Sequence, residues 1–222
     1  MKLNILFEDN HIIVVFKPSG ILSQEDYTKD IDMVNIVKNY IKEKYFKPGN
    51  VYLGLVHRLD RNVSGIMVFA KTSKAANRLS NQIKNKKFNK GYHGVLCGKL
   101  IKNGTISNYL IKDEKNKKAY VTNKNKGKLA SLSYKIIANK NSYTLVEIDL
   151  ETGRFHQIRC QFANLGYPLF GDYKYGNSGS KNYKLGLCAT SLSFTHPTLK
   201  EKMEFAINLP KERHWNLFNE GE

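Results

Sequence analysis

Cysteine is scarce in this chain, and acidic residues are heavily outnumbered. The 222 residues hold three cysteines, Cys97, Cys160 and Cys188. An odd number set far apart provides neither a disulfide framework nor the close Cys/His pairs of a zinc site. No metal is therefore expected, and a reducing compartment fits. No apolar stretch approaches the roughly 20 residues of a membrane span. The opening Met1 to Asn10 lacks the apolar core of a signal peptide, and Glu8 and Asp9 arrive too early for one. A cytoplasmic location is the expectation. There is no internal repeat and no Pro/Gly/Ser linker, so one domain over residues 1–222 is expected. What is abundant is positive charge: 36 Lys+Arg against 19 Asp+Glu leave +17. Such an excess favours a polyanionic partner, nucleic acid above all, over simple solubility.

Short apolar runs alternate with helical periodicity. Ile12 to Phe16 reads as a buried strand closed by Lys17-Pro18-Ser19-Gly20. Met33, Ile36, Val37, Tyr40 and Ile41 recur at helical spacing behind a candidate cap, Asp32. Gly54 to Val56 and Ile66 to Ala70 read as strands, and Thr72 or Ser73 caps a helix carrying Ala76, Leu79 and Ile83. Further strands are expected at Tyr92 to Leu96, Leu132 to Ile137, Tyr143 to Leu150, Leu187 to Phe194 and Lys202 to Ile207, with a turn at Asn139 to Asn141. A helix opens at Thr152-Gly153, with Phe155, Ile158, Phe162 and Leu165 as its apolar stripe and Gly166 as its left-handed end. The class is α+β, with a mixed, largely antiparallel central sheet flanked by helices and loops. Two lysine-rich stretches, Lys84 to Lys90 and Lys112 to Lys128, read as exposed loops or hairpins. If they bind RNA, they do so through phosphates, without sequence choice.

The most informative segment is His57-Arg58-Leu59-Asp60-Arg61-Asn62-Val63-Ser64-Gly65. It sets an aspartate between two arginines, and a neighbouring cation favours the ionised carboxylate. Asp60 is thus a candidate nucleophile or base on a surface that also attracts phosphate. Standing alone, Arg-Leu-Asp-Arg is more often a surface ion pair, so the weight rests on further segments. Thr152 to Arg159 packs Arg154, His156, Gln157 and Arg159 into one helix start. At 100° per residue, Arg159 falls about 40° from Phe155 and so borders the buried stripe. An unpaired guanidinium is costly there and requires a carboxylate, for which Asp60 is the candidate.

Taken together, these segments resemble the RluA-type family of RNA pseudouridine synthases. Its pattern His-Arg-Leu-Asp-x-x-Thr-Ser-Gly is matched at His57 to Gly65, Lys-x-Tyr at Lys90 to Tyr92, and Thr-Gly-Arg-x-His-Gln-Ile-Arg at Thr152 to Arg159. Gly-x-Pro-x-x-Gly-Asp is matched at Gly166 to Asp172, Lys-Pro-Ser-Gly at Lys17 to Gly20, and Phe194-x-His196-Pro197 also fits. The matches are collinear from near residue 5 to Pro210. Departures are Val63 for threonine, Cys160-Gln161 for Val-His, and Cys188 where Leu-His-Ala is common. Val63 removes a hydroxyl close to Asp60.

The resemblance implies isomerisation of uridine in structured RNA, large-subunit (23S) ribosomal RNA first and tRNA second. It implies no cofactor and no metal, and RNA as the partner of a monomer. The catalytic pattern begins at once, so no separate N-terminal S4 RNA-binding module is expected. By the same resemblance Asp60 is the essential group, acting as nucleophile or as the base that draws a sugar proton. Arg159 pairs with it, and Tyr92 stacks on the extruded uracil. Arg58 fills the vacated place in the RNA. Arg154, His156 and Gln157 bind the backbone or tie the helix to the Asp60 loop, with a structural role favoured for His156. Lys17, Pro18, Gly20, Gly171 and Asp172 read as structural. Two other classes compete: a non-catalytic RNA-binding protein on an old enzyme fold, and a glycoside or nucleoside hydrolase. The first leaves the retention of Asp60, Tyr92 and Arg159 unexplained. The second needs another carboxylate, and only Glu151 lies near, at a strand end.

Overall fold

The computed structural model describes residues 3–176 and 183–219. In chain order the elements are β1 (Asn4–Glu8), β2 (Ile12–Lys17), α1 (Met33–Lys44), β3 (Gly54–Leu55), β4 (Ser64–Ala70), α2 (Ser73–Lys84), β5 (Asn89–Cys97) and β6 (Gly104–Asp113). They continue with β7 (Lys118–Thr122), β8 (Lys128–Lys140), β9 (Tyr143–Leu150), α3 (Gln157–Asn164), β10 (Leu187–Thr195), β11 (Lys202–Ala206) and α4 (Arg213–Asn219). Two compact units emerge: Met1–Asn89 with Ala189–Ile207, and Lys90–Cys188 with Asn208–Glu222. No described helix is long and apolar enough to cross a membrane.

In the first unit β1, β2, β4 and β10 are successive neighbours, β3 adds to β4 and β11 to β10. β1–β2, β2–β4 and β10–β11 are antiparallel. Ile12, Val14, Ile66, Val68 and Ala70 form one face of the central pair and pack with Ala75, Leu79, Phe88, Leu192 and Phe194. Ile13, Val15, Met67 and Phe69, on the alternate face, are buried as well. That double burial is why these strands are unbroken apolar runs rather than alternating ones. Both helices start at the expected caps, Asp32 accepting from the Asn35 amide and Thr72 from the Ala75 amide. Gly65 has φ +136°, and a Cβ there would lie 2.3 Å from the Ala189 carbonyl oxygen, so only glycine lets β4 and β10 approach this closely.

The second unit orders its strands β5-β9-β8-β6-β7, each neighbouring pair antiparallel. The Lys112 to Lys128 stretch is the β6–β7 hairpin and the turn into β8, in keeping with the hairpin alternative. Leu110, Ala119 and Ala130 bury themselves against Cys160 of α3. The β8–β9 turn falls slightly later than expected, with Asn141 in the left-handed region at φ 52°. α3 also begins later, at Gln157 rather than Thr152. Thr152 Oγ1 accepts the Ser131 amide at 2.9 Å, holding this stretch against β8, and His156 then turns the chain at φ 49°. Phe155 therefore precedes the helix and is 37% exposed, and Leu165 at the far end is 42% exposed, so neither joins the buried stripe. Gly166 (φ +90°) and Tyr167 donate back to the Ala163 and Phe162 carbonyls, a Schellman close.

Candidate active site

The segment carrying Asp60 is a loop gripped by its backbone. Lys17, fully buried at the end of β2, donates from Nζ to the carbonyls of Pro18 (3.0 Å), Ile21 (2.7 Å) and Arg61 (3.0 Å). Three donated bonds require the protonated amine, so a buried ammonium ties the 17–21 turn to the residue after Asp60. The Gly20 amide donates to the same Arg61 carbonyl at 2.9 Å, and Arg61 Nε donates to the Gly20 carbonyl at 3.1 Å. The Ser19 hydroxyl holds the Asn62 carbonyl at 2.9 Å.

The other side of the loop is held by Ser23, whose Oγ donates to the Leu59 carbonyl (2.7 Å) and accepts the Leu59 amide (3.0 Å). The Val63 amide closes a turn on the Asp60 carbonyl at 3.0 Å. His57 Nε2 accepts the Val68 amide at 3.1 Å, which puts the proton of the neutral ring on Nδ1 and anchors the loop's entry to β4. Within this frame the side chains alternate: His57 and Leu59 are buried, Arg58 is exposed, and Asp60 is half-buried. Arg61 is exposed and bridges to Asp30 at 2.7 Å. An exposed bridge contributes at most about 1 kcal/mol, so the backbone bonds set the loop. The result is a carboxylate on a turn whose backbone is hydrogen-bonded from both sides, the arrangement a general base or nucleophile needs.

In the second unit Arg159 is buried, and the carboxylate it requires is Asp172. Nε and Nη2 donate to Oδ2 and Oδ1, both at 2.8 Å, a bidentate pair with neither side chain more than 4% exposed. The wheel argument thus reached the right burial from a misplaced helix start. Arg159 Nη1 donates to His156 Nε2 at 3.1 Å. An arginine only donates, so Nε2 is unprotonated and Nδ1–H donates to the Tyr175 hydroxyl at 2.9 Å. That hydroxyl also accepts the Ala119 amide at 2.6 Å. Burial, then the charges of Arg159, Lys174 and Lys112, push the His156 pKa down to about 2. Asp172 Oδ1 further accepts the Lys174 and Tyr175 amides.

Gln157 is 3% exposed, and both its polar ends are engaged. Nε2 donates to the Ser131 carbonyl (3.0 Å), while Oε1 accepts the Thr152 hydroxyl (2.7 Å) and the Arg154 amide (3.0 Å). It ties the entry of α3 to β8. Arg154 is exposed, with Nε donating to the Leu129 carbonyl at 2.9 Å. Tyr92 lies on β5 opposite Ile148 and is 6% exposed. Burial lowers the pKa of Lys90 two residues earlier. Three builders of these sites escaped sequence reading: Ser23, Tyr175, and Asp172 as the partner of Arg159. Only Asp172 carried a signal, its place in Gly-x-Pro-x-x-Gly-Asp.

Known proteins match this arrangement over most of its length. The family described as RNA pseudouridylate synthase matches residues 11–164, a span that includes Asp60, Tyr92 and Arg159. Ribosomal large subunit pseudouridine synthase D of Buchnera aphidicola subsp. Schizaphis graminum is 32% identical over 96% of this chain and 71% of its own length. The chain belongs to the RNA pseudouridylate synthase family. The pseudouridine synthase D of Borreliella burgdorferi is 33% identical over 84% of this chain and 59% of its own. The RNA pseudouridine synthase YlyB of Bacillus subtilis is 33% identical, with 96% and 71% covered. The solved human RNA Pseudouridylate Synthase Domain Containing 4 shares the fold, with TM-score 0.78 at 20% identity over 94% of this chain and 89% of that one. Domain Containing 1 gives 0.74 at 22% identity over 93% and 83%. The protein is an RNA pseudouridine synthase, an isomerase whose substrate is RNA, on the α+β fold expected from its sequence.

Proposed function

We propose that both units serve one catalytic domain that converts uridine to pseudouridine in large-subunit ribosomal RNA, with Asp60 as its essential carboxylate. The observation that carries the reading is the Asp60 loop, fixed from both sides by Lys17 and Ser23 while its carboxylate stays half-exposed beside Arg58. Similarity to synthases named for the ribosomal large subunit supports the target. The reaction breaks N1–C1′, turns the uracil and bonds C5 to C1′; C5 loses a proton and N1 gains one. The formula is unchanged, so the reaction needs neither a redox cofactor nor ATP.

A carboxylate on a backbone-anchored loop suits attack on C1′ or removal of a sugar proton, and a rate that falls on C2′ deuteration identifies the second. Flipping the base costs a few kcal/mol. Arg58 offsets part of that by filling the gap, and Tyr92 by stacking, an interaction worth about 1–3 kcal/mol. Since Tyr92 is buried, the uracil must enter the protein to reach it. Arg159, held by its bond with Asp172, is an active-site support, Arg154 contacts the RNA backbone, and His156 positions Arg159. The protein acts as a cytoplasmic monomer.

Carbodiimide-based pseudouridine mapping of total host RNA, with and without the gene, tests this. Large-subunit sites should vanish on deletion and return with the wild-type gene but not with Asp60→Asn. Turnover by clean Asp60→Asn protein removes Asp60 from its role. Lost sites in tRNA alone move the target, and no lost site with RNA still bound favours the non-catalytic binding protein.

A further inference from the structure

We propose that the β6–β7 hairpin, together with Phe155 and Lys174, is a docking surface for the phosphodiester backbone of RNA outside the nucleotide that is isomerised; this rests on the function proposed above. The 112–128 stretch holds seven lysines and two acids, and both acids are occupied. Asp113 caps the hairpin turn by accepting the Asn116 amide at 3.0 Å and its Nδ2 at 2.7 Å, and Glu114 pairs with Lys112 at 2.7 Å. The stretch therefore carries more positive charge than its two acids balance.

Lysines kept only for solubility have no reason to converge, and here three elements bring them together. Lys112 of β6 places Nζ 4.8 Å from the centre of the Phe155 ring, and Lys118 of β7 places its own 5.7 Å from that of Tyr175. Lys174, in the turn after α3, donates from Nζ to the Lys117 carbonyl at 3.0 Å. Behind them Phe155 stacks on His156 with centroids 3.9 Å apart, while Tyr175 meets His156 edge-on. The local field has a witness. His156 is held neutral by burial and by three cations, and Asp172 is already neutralised by Arg159. A polyanion brought to this surface meets preplaced lysines on a rigid aromatic base. Such contacts add affinity and orientation without reading sequence.

The test is filter binding of deproteinised large-subunit ribosomal RNA to the full chain across a salt series. It compares wild type, Lys112→Gln/Lys118→Gln/Lys174→Gln, and a control of equal charge loss, Lys84→Gln/Lys86→Gln/Lys87→Gln, at the end of α2. The patch variant should lose about 2–3 from the slope of log affinity against log salt, about one for each phosphate contact. Its KM should rise about tenfold at physiological salt, with the control close to wild type. If patch and control variants behave alike while the wild type binds and isomerises, the docking surface is refuted. If the wild type itself neither binds RNA nor forms pseudouridine, the function proposed above fails instead. Should the triple variant not fold, Lys112→Gln alone must still remove about one from the slope, and an unchanged slope refutes the proposal.

Discussion

Asp60 in the first unit and Arg159 in the second are both charged residues beside a tight turn, but they are restrained in opposite ways. Around Asp60 the protein grips peptide groups: one buried ammonium and two serine hydroxyls fix the carbonyls of Leu59, Arg61 and Asn62. Arg159 is gripped by its own functional group, bound bidentately to Asp172 and passed on through His156 to Tyr175. A backbone grip fixes a side chain at its root. A side-chain grip fixes the charged group itself and makes it a strut. The contrast explains why two residues equally prominent in the sequence are assigned unequal work.

Removing the carboxylate partner in the second unit is the most damaging way to break this comparison. Asp172→Ala leaves a buried guanidinium unpaired and should cost about 3–5 kcal/mol, read as a fall in the midpoint of urea unfolding. A midpoint within error of wild type would show that the pair is not a strut. Next comes Lys17→Met, which strands three carbonyls and should cost about 3 kcal/mol. This variant sharpens the contrast, because pseudouridine formation should fall more than stability alone explains once Asp60 loses its fixed root. Full activity in folded Lys17→Met protein would separate the loop's rigidity from its chemistry.

The smallest effect comes from pH. Burial lowers the pKa of His214, which stacks on Phe170 with ring centroids 4.8 Å apart. The unfolded chain, titrating near 6.5, then binds the proton more readily than the folded one. Stability from this group is complete above that value and is lost as pH falls below it. Lowering pH from 6.5 to 5.5 should therefore lower stability through His214. His214→Phe should flatten that part of the melting profile and leave a slope of the same sign from His156. A profile unchanged by the substitution would place the pH dependence elsewhere.

Much of the fold was legible along the chain. Doubly buried strands must be continuous apolar runs, and Ile12 to Phe16 and Ile66 to Ala70 are. Helix caps act over three residues, so Asp32 announced α1 and the pair Thr72-Ser73 announced α2, of which the structure selects Thr72. The start of α3 was not legible, because Thr152 is captured by Ser131, 21 residues away, and no local propensity records such a bond. Phe155 looked like core for the same reason, and its exposure followed once the helix began after it.

Charge surplus, the apolar strands, the helix caps and the ordered motifs around Asp60, Tyr92 and Arg159 were determined by the sequence alone, because each depends on residue type or short-range spacing. That Arg159 is bound by Asp172, that Gln157 is a latch on β8, and that a single buried lysine roots the Asp60 turn were decided only by the tertiary structure. A hydrogen bond joins atoms a few ångströms apart however much chain lies between them, and for Lys17 and Arg61 that distance is 44 residues.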